Sequence, residues 1–157
     1  MKLAGAQLVL DTNILVHLLR GKFAGQMLER TYGISQRAPR AIISVVTKGE
    51  LKSLAKKFEW GPDKRERLDM MLAGLPATDI SHRSIHDAYA EIDFASLTLG
   101  VKMGKNDLWI AATAVVIDGV LLTTDADFNH LSPMSLQVEH IAEEQLKPSP
   151  GSEPDRG

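Results

Sequence analysis

The sequence predicts an α/β fold in which helices cover both faces of a parallel β-sheet. Short apolar segments rich in β-branched residues alternate with amphipathic helical segments along the chain, as in βαβ units. The chain has 157 residues, which is the size of one domain. Hydrophobic residues make up 44% of the chain and charged residues 24%, so its composition is that of a globular protein.

The first predicted strand is the apolar segment QLVLD at 7–11, and the helix that follows it ends at Gly21. A second helical segment spans residues 23–36. The segment RAIISVV at 40–46 is rich in β-branched residues and predicts the next strand. Strands that are separated by helices in this way are expected to run parallel.

Two amphipathic helices are predicted at 47–60 and 63–75, with a Gly-Pro pair between them. The apolar face of the first helix runs from Thr47 to Phe58 at helical spacing. A weak strand follows these two helices at 76–80.

The second half of the chain contains two further predicted helices. The helix at 81–100 has Ser81 as its expected N-cap. The segment NDLWIAATAVVIDG at 106–119 is apolar on most sides, so we expect a deeply buried helix with Asn106 as its N-cap.

Two last strands are predicted, GVLLTTD at 119–125 and one within SLQVEHI at 135–141. The tail at 147–157 contains three prolines, two glycines and no large apolar residue, so we expect it to be disordered. Residues 1–146 therefore form the single predicted domain.

The composition excludes several classes of site. The chain contains no cysteine, which excludes disulfides, thiolate zinc sites and cysteine nucleophiles. No apolar run approaches the ~20 residues that a membrane helix needs, and Asp11 and Asn13 interrupt the apolar N-terminal segment. We therefore expect a cytoplasmic protein with no membrane partner.

The formal net charge of −2 conceals an uneven distribution of charge. Residues 37–67 contain nine Lys or Arg residues against four Asp or Glu, whereas residues 118–157 contain two against eight. The basic segment is either a surface for a polyanion or a solvated helix face, and charge alone leaves both interpretations open.

Acidic residues follow two of the predicted strands. Asp11 ends the segment QLVLD and Asp125 ends GVLLTTD, and ligands of parallel sheets bind at the carboxyl ends of strands. Asp107 lies at the start of the buried helix, where a helix N-terminus should keep it ionised. Glu50 lies in the first or second turn of the helix after the strand at 40–46, beside the core face of that helix.

Each of these four acids has an ordinary explanation when it is taken alone, as a helix cap, a turn residue or a solvated charge. Together they form a set beside core positions, and no basic residue stands next to Asp11 or Asp125 in the sequence. Clustered carboxylates repel one another unless a cation lies between them. The set therefore predicts a site for Mg²⁺ or Mn²⁺, ions that prefer oxygen ligands and activate water against phosphodiesters.

Four segments resemble the PIN-domain ribonucleases, and above all the VapC-type toxins of bacterial toxin–antitoxin pairs. These segments are LDTN (10–13), Glu50 within TKGEL, NDLWIAATA (106–114) and TTDADF (123–128). Their order and spacing extend over residues 8–140. The NDLWIAATA segment, followed by a strand and T-x-D, is the most specific of them.

The resemblance implies a three-layer α/β/α sandwich with a central parallel sheet, and a metal-dependent endoribonuclease that uses Mg²⁺ or Mn²⁺ to cleave RNA. It also implies a homodimer and a cognate antitoxin that inserts near the active site. The positions that match the metal-binding and catalytic acids of the family are Asp11, Glu50, Asp107 and Asp125. Asp127 matches an accessory acid, and Asn13 and Thr123 match polar residues that hold the site together.

Lysines outside this resemblance are expected to hold RNA phosphates. They are Lys48, Lys52, Lys56 and Lys57 on the predicted helix at 47–60, and Lys105. Such contacts would make RNA binding strongly dependent on salt.

Other classes of function also fit the residues. Asp11 at the end of a strand suits an aspartyl-phosphate enzyme, although such enzymes commonly have a second acid where this chain has Asn13. A catalytically silent module that binds RNA or protein is a third class. Within the nuclease class, RNA maturation and DNA cleavage stay open.

Three further side chains have a chemical and a structural interpretation. His82 and His86 have the i, i+4 spacing of zinc ligands but lack the glutamate of the zincin motif, so we interpret them as surface histidines. Trp109 suits base stacking, but its apolar neighbours favour packing in the core or at a dimer contact.

Overall fold

Short parallel strands lie at the centre of the molecule, between two layers of helices. The computed structural model describes residues 1–132 and 135–151. The strands are β1 (Leu8–Leu10), β2 (Ile43–Ser44), β3 (Ala77–Thr78), β4 (Val120–Thr123) and β5 (Gln137–His140). The helices are α1 (Thr12–Arg20), α2 (Phe23–Tyr32), α3 (Val45–Lys57), α4 (Pro62–Gly74), α5 (Arg83–Thr98) and α6 (Lys105–Val116), with 3₁₀ helices at Ala126–Leu131 and Glu143–Leu146.

All of the strand pairs are parallel. β4 pairs with β1 on one side and with β5 on the other, and β2 pairs with β3. A parallel bridge between Val9 and Ile42 joins these two groups, which gives the spatial order β3-β2-β1-β4-β5. Asp11 directly follows β1, and only Thr124 separates Asp125 from the end of β4, so both acids lie at the same edge of the sheet. The predicted α/β/α sandwich with a central parallel sheet is confirmed.

Side chains of the central strands alternate between two apolar layers. Leu8, Leu10 and Leu122 pack in the layer that contains α1 to α4. Val9 and Leu121 pack in the opposite layer, with α5 and α6. Because both faces of the sheet are buried, the strands appear in the sequence as continuous apolar runs.

The start and the end of α3 differ from the prediction. The predicted strand at 40–46 is reduced to two residues because the Ser44 side chain accepts a hydrogen bond from Val46 N, which caps α3 at that point. Phe58, predicted on the apolar face, lies beyond the last helical turn and is 69% exposed.

Two predicted N-caps are wrong. His82 rather than Ser81 caps α5, because the Nδ1 atom of His82 accepts the hydrogen bond from Ser84 N. Helix α6 begins earlier than predicted, with Gly104 at the N-cap, so Asn106 lies inside its first turn. The interior of α6 is buried as predicted.

The predicted tail lies only partly within the described residues. Residues 147–151 contain neither helix nor strand, and residues 152–157 lie outside the described part of the chain. The disorder of the tail and the domain limit at residue 146 stay predictions. Across residues 1–132 and 135–151, no helix has both the length and the apolar character that crossing a membrane requires.

Candidate active site

Asp11 is a buried carboxylate at the end of β1, with 4% of its surface exposed. Its Oδ1 accepts a hydrogen bond from Thr12 N at 2.8 Å, and its Oδ2 accepts one from Thr123 Oγ1 at 2.6 Å. Burial raises the pKa of Asp11, the two hydrogen bonds oppose that shift, and the charges of Glu50 and Asp125 add to it. Asp11 is also the N-cap of α1, so one side chain fits both the structural and the functional interpretation.

Glu50 reaches the site from the second turn of α3. Its Oε1 accepts a hydrogen bond from Thr12 Oγ1 at 2.7 Å. The same Thr12 hydroxyl lies 3.3 Å from the hydroxyl of Thr47, which is fully buried. Thr12 therefore links the end of β1 to α3. This role of Thr12 could not be predicted from the sequence, because nothing near a residue that follows a helix cap indicates the partner of its hydroxyl.

A second group of acids converges at the starts of α6 and of the 3₁₀ helix Ala126–Leu131. Asp107, Asp125 and Asp127 each place one carboxylate oxygen within 4.8 Å of the other two. The Oδ1 atom of Asp125 also accepts a hydrogen bond from Asp127 N at 2.9 Å. The predicted accessory acid Asp127 thus lies among the acids that could share an ion.

The site changes the ionisation of Asp107. Burial raises the pKa of Asp107 to about 7, and four neighbouring carboxylates add to the shift, namely Asp11, Asp125, Glu50 and Asp127. Five carboxyl groups therefore share one electrostatic environment. Burial and like charges therefore oppose the effect of the helix N-terminus on Asp107, and the expectation that Asp107 stays ionised stays a prediction.

No basic side chain neutralises these acids within residues 1–132 and 135–151. The ion pairs of that part of the chain join Lys2 with Glu139, Arg83 with Asp87, and Lys147 with Glu143. Carboxylates this close repel one another unless a cation lies between them. A set of oxygen donors with this much negative charge fits a hard divalent cation such as Mg²⁺ or Mn²⁺.

Two polar side chains connect the segment after β4 to the start of α1. Asn13 Oδ1 accepts a hydrogen bond from Thr124 N at 3.3 Å. Thr123 Oγ1 accepts one from Asp125 N at 2.9 Å while it donates to Asp11. Both residues thus contact the segments that carry Asp11 and Asp125, and their role in holding the site together stays a prediction.

The lysines of α3 lie on two different edges of the helix. Lys57 is seven residues from Glu50, which is about two turns, and both line the same groove. Lys52 and Lys56 line a separate cavity between α3 and α4, and Lys48 is one turn before Lys52 on that edge. The predicted contacts of these lysines with RNA stay predictions, but only Lys57 lies on the edge of α3 that carries Glu50.

Lys105 is the first residue of α6 and is exposed. It precedes Asp107 by two residues, so it lies in the same helical turn as one of the site acids. Its exposed side chain is accessible to an RNA phosphate, and this predicted contact stays a prediction.

His82 and His86 take part in local hydrogen bonds. His82 caps α5, and the Nε2 atom of His86 donates to the Ile80 carbonyl oxygen at 2.8 Å. Both histidines are exposed, which agrees with their interpretation as surface residues.

Several solved structures share this fold. VapBC2 from Rickettsia felis, bound to a DNA fragment from its promoter, has a TM-score of 0.70 and 23% identity, over 85% of this chain and 97% of that one. VapBC-1 from nontypeable Haemophilus influenzae has a TM-score of 0.68 and 23% identity, over 85% and 96%. FitAcB from Neisseria gonorrhoeae has a TM-score of 0.68 and 23% identity, over 84% and 96%. At these identities the likeness concerns the fold.

Two comparisons of the sequence with known proteins gave different results. A search of curated protein sequences gave no match. The family model for the PIN domain matches residues 8–132, a range that contains all five acids of the site. The resemblance to the PIN-domain family is thereby confirmed. This chain belongs to the PIN domain family.

Proposed function

We propose that this chain is a metal-dependent endoribonuclease and the toxin of a toxin–antitoxin pair. The observation that carries the nuclease proposal is the convergence of Asp107, Asp125 and Asp127 beside two further acids, without a basic partner in the described residues. The fold neighbours support the toxin proposal, because they are VapBC and FitAcB complexes, and VapBC-5 from Mycobacterium tuberculosis is described as a member of a family of toxin–antitoxin systems.

In this proposal, Asp107, Asp125 and Asp127 hold Mg²⁺ or Mn²⁺, with Asp11 and Glu50 at the same centre. The bound cation supplies an activated water and stabilises charge on the phosphodiester. Thr123 and Thr12 fix the orientation of Asp11 and Glu50 in advance, which reduces the reorganisation that ion binding requires.

The RNA is held by cationic side chains around these acids. Lys57 lines the same groove as Glu50, and Lys105 lies at the start of α6, two residues before Asp107, so both are assigned to the phosphates nearest the acids. Lys52 and Lys56 on the other edge of α3 would contact RNA farther along the strand. Phosphate contacts release counterions, so RNA affinity should fall steeply with salt.

The remaining parts of the proposal are a homodimer, a cognate antitoxin that reaches the active site, and a cytoplasmic location. A small reading frame immediately upstream, whose product copurifies with this chain, would support the antitoxin. The toxin proposal is contradicted if expression of this chain does not slow cell growth and no such product copurifies with it. That result leaves the nuclease proposal intact.

The aspartyl-phosphate alternative has less support. A carboxylate nucleophile needs an accessible oxygen, and both oxygens of Asp11 accept hydrogen bonds within a buried site. Trapping with beryllium fluoride tests this directly, and the nuclease proposal expects no stable adduct on Asp11.

The nuclease proposal is tested by incubating the purified chain with total RNA and Mg²⁺ or Mn²⁺ and mapping the ends of the products. We expect cleavage that EDTA abolishes and Mn²⁺ restores. Asp125→Asn should remove cleavage, whereas Asp118→Asn, which makes the same charge change at an exposed residue outside the site, should retain it. Cleavage in EDTA, or equal cleavage by Asp125→Asn, would contradict the proposed centre.

A further inference from the structure

Ser96 and His130 form a hydrogen-bonded pair outside the candidate site. Ser96 lies near the end of α5 and is fully buried, and its Oγ atom is 2.8 Å from the Nε2 atom of the half-buried His130. A serine beside a histidine is also the arrangement of a hydrolase nucleophile and its base. Because Ser96 has no exposed surface, a substrate does not reach its hydroxyl. Any role of the pair in the reaction is therefore exerted through other residues.

The same hydroxyl of Ser96 contacts a second segment of the chain. Its Oγ atom donates a hydrogen bond to Met103 Sδ at 3.3 Å. A serine hydroxyl has only one hydrogen, so both contacts form when the Nε2–H group of His130 donates to Ser96 Oγ. One buried hydroxyl of α5 is then bonded both to the segment before α6 and to the 3₁₀ helix Ala126–Leu131.

His130 belongs to the short 3₁₀ helix that carries two of the site acids. Asp125 is the N-cap of this helix, and Asp127 lies in its first turn. His130 follows Asp127 by three residues, and residues three apart in a 3₁₀ helix lie on the same face, about 6 Å apart along its axis. The hydrogen bonds within a 3₁₀ helix have poor geometry, so a directional bond from outside restrains its rotation. The bond to Ser96 therefore restrains Asp127 as well.

Met103 belongs to the segment that leads to Asp107. It is buried and directly precedes Gly104, the N-cap of α6. A Cβ on Gly104 would lie 3.6 Å from Asp107 Oδ2, so the Asp107 carboxylate lies close to the start of the helix. The contact of Ser96 with Met103 therefore restrains the part of α6 from which Asp107 reaches the site.

We propose that Ser96 is a positioning residue of the metal centre and sets the separation of Asp107 from Asp127. The carboxylate oxygens of these two acids and of Asp125 lie within 4.8 Å of one another, although they come from two different elements. Like charges repel at this distance, so the elements separate unless something joins them. Ser96 is bonded to both, which reduces the rearrangement that ion binding requires. The inference rests on the proposed function, because it concerns the cation assigned to these acids.

A double-mutant cycle on Mn²⁺ affinity tests the proposal. Ser96→Ala removes the hydroxyl, and His130→Leu removes the ring nitrogen that bonds to it. Calorimetric titration compares the wild type, the two single variants and the double variant. We expect each single variant to bind Mn²⁺ about tenfold more weakly, as loss of a group that supports a metal ligand commonly does. The double variant should bind no more weakly than Ser96→Ala, because both changes break the same bond.

Two control variants separate positioning from a general loss of stability. His130→Gln keeps a side-chain N–H group at about the reach of the histidine Nε2, so it should retain most of the affinity. Thr113 is fully buried like Ser96, but its hydroxyl donates to the Trp109 carbonyl oxygen within α6 and joins no second element. Thr113→Val should therefore leave the affinity for Mn²⁺ unchanged.

Amide hydrogen exchange in EDTA gives a readout that needs no metal. Exchange of residues 126–131 should be faster in Ser96→Ala than in the wild type, and it should be unchanged in Thr113→Val. Exchange that Ser96→Ala leaves unchanged in this segment would overturn the proposal.

The affinities can also contradict the proposal. The role of Ser96 is overturned if Ser96→Ala binds Mn²⁺ as tightly as the wild type, if Thr113→Val weakens binding equally, or if the single losses multiply in the double variant. Should Ser96→Ala not fold, the half-buried His130 decides the question, and equal affinities of His130→Leu and His130→Gln overturn the role. All of these results leave the proposed function intact while the wild type binds Mn²⁺. A wild type that binds no Mn²⁺ refutes the proposed function and the role of Ser96 together.

Discussion

Thr123 Oγ1 donates a hydrogen bond to Asp11 Oδ2 at 2.6 Å, although the two residues are 112 positions apart in the sequence. They meet because β1 and β4 are parallel neighbours whose carboxyl ends coincide. The same hydroxyl accepts a hydrogen bond from Asp125 N. One buried hydroxyl therefore fixes one acid through its carboxylate and a second acid through its backbone.

Replacing Thr123 with Val keeps the shape of the side chain and removes this hydroxyl. Asp11 then loses a buried hydrogen-bond donor, so we expect the free energy of unfolding to fall by about 1–3 kcal/mol. Urea denaturation measures the change. Thr98→Val is the control, because its hydroxyl is exposed, and it should lie within about 0.5 kcal/mol of the wild type. A Thr123→Val variant as stable as the control would contradict this role.

Thr12 is predicted to orient Glu50. Thr12→Val removes the hydrogen bond to Glu50 Oε1 and should weaken Mn²⁺ binding by about 10–100-fold, as loss of a group that supports a metal ligand commonly does. Thr12→Ser retains the hydroxyl and should restore most of the affinity. Calorimetric titration with Mn²⁺ compares the three proteins, and equal affinity of the Val and Ser variants would show that Glu50 needs no support from Thr12.

Two helical glycines should respond to alanine in opposite directions. A Cβ on Gly25 of α2 would lie 2.5 Å from the His17 carbonyl oxygen of α1, so Gly25→Ala must push these helices apart, at a cost of about 1–3 kcal/mol. A Cβ on Gly49 of α3 would meet nothing within 4 Å, so Gly49→Ala should gain up to about 1 kcal/mol of helix propensity. Denaturation midpoints of both variants check the sign of each change, and a stabilising Gly25→Ala would contradict the packing of α1 on α2.

The pKa of Asp107 predicts how stability depends on pH when no cation is bound. Burial and like charges raise this pKa from 3.8 to about 7, so between these values the folded chain binds more protons than the unfolded chain. The contribution of Asp107 to the free energy of unfolding therefore falls as pH rises through this range. Asp107→Asn removes that ionisation, and in EDTA it should be more stable than the wild type at pH 8, with the advantage shrinking toward pH 5.

Thermal unfolding of the wild type and Asp107→Asn at these two pH values measures the effect. Added Mn²⁺ should reverse the order at pH 8, because the cation stabilises only the protein that keeps its ligands. A variant that is less stable than the wild type in EDTA at pH 8 would show that the acids do not strain the fold.

The site acids could be predicted from sequence because their positions depend on local signals. An apolar run that ends in Asp11 or Asp125 marks the end of a buried strand, and Asp107 precedes a buried apolar helix. Parallel pairing then places the two strand ends at one edge. The hydroxyl of Thr12 carries no comparable signal, since its partner on α3 is 38 residues away.

The surface around the site was harder to predict because it depends on the rotation of α3. Buried Leu51 and Ala55 fix that rotation, and they place Lys52 on one edge and Lys57 on the other. In the sequence these lysines form one basic segment, because the sequence alone does not show which edge of α3 each lysine occupies. Trp109 is a similar case, because its apolar neighbours in the sequence conceal the groove that it lines.

The most direct test of the account is a calorimetric titration of the chain with Mn²⁺ at pH 8, for the wild type, Asp125→Asn and Asp118→Asn. Asp118 is exposed, and its φ of 52° is one that asparagine adopts readily, so its variant controls for the change of charge. We predict that the wild type and Asp118→Asn bind Mn²⁺ with equal affinity and that Asp125→Asn binds at least about tenfold more weakly. No binding by the wild type, or equal binding by all three proteins, would contradict the metal centre.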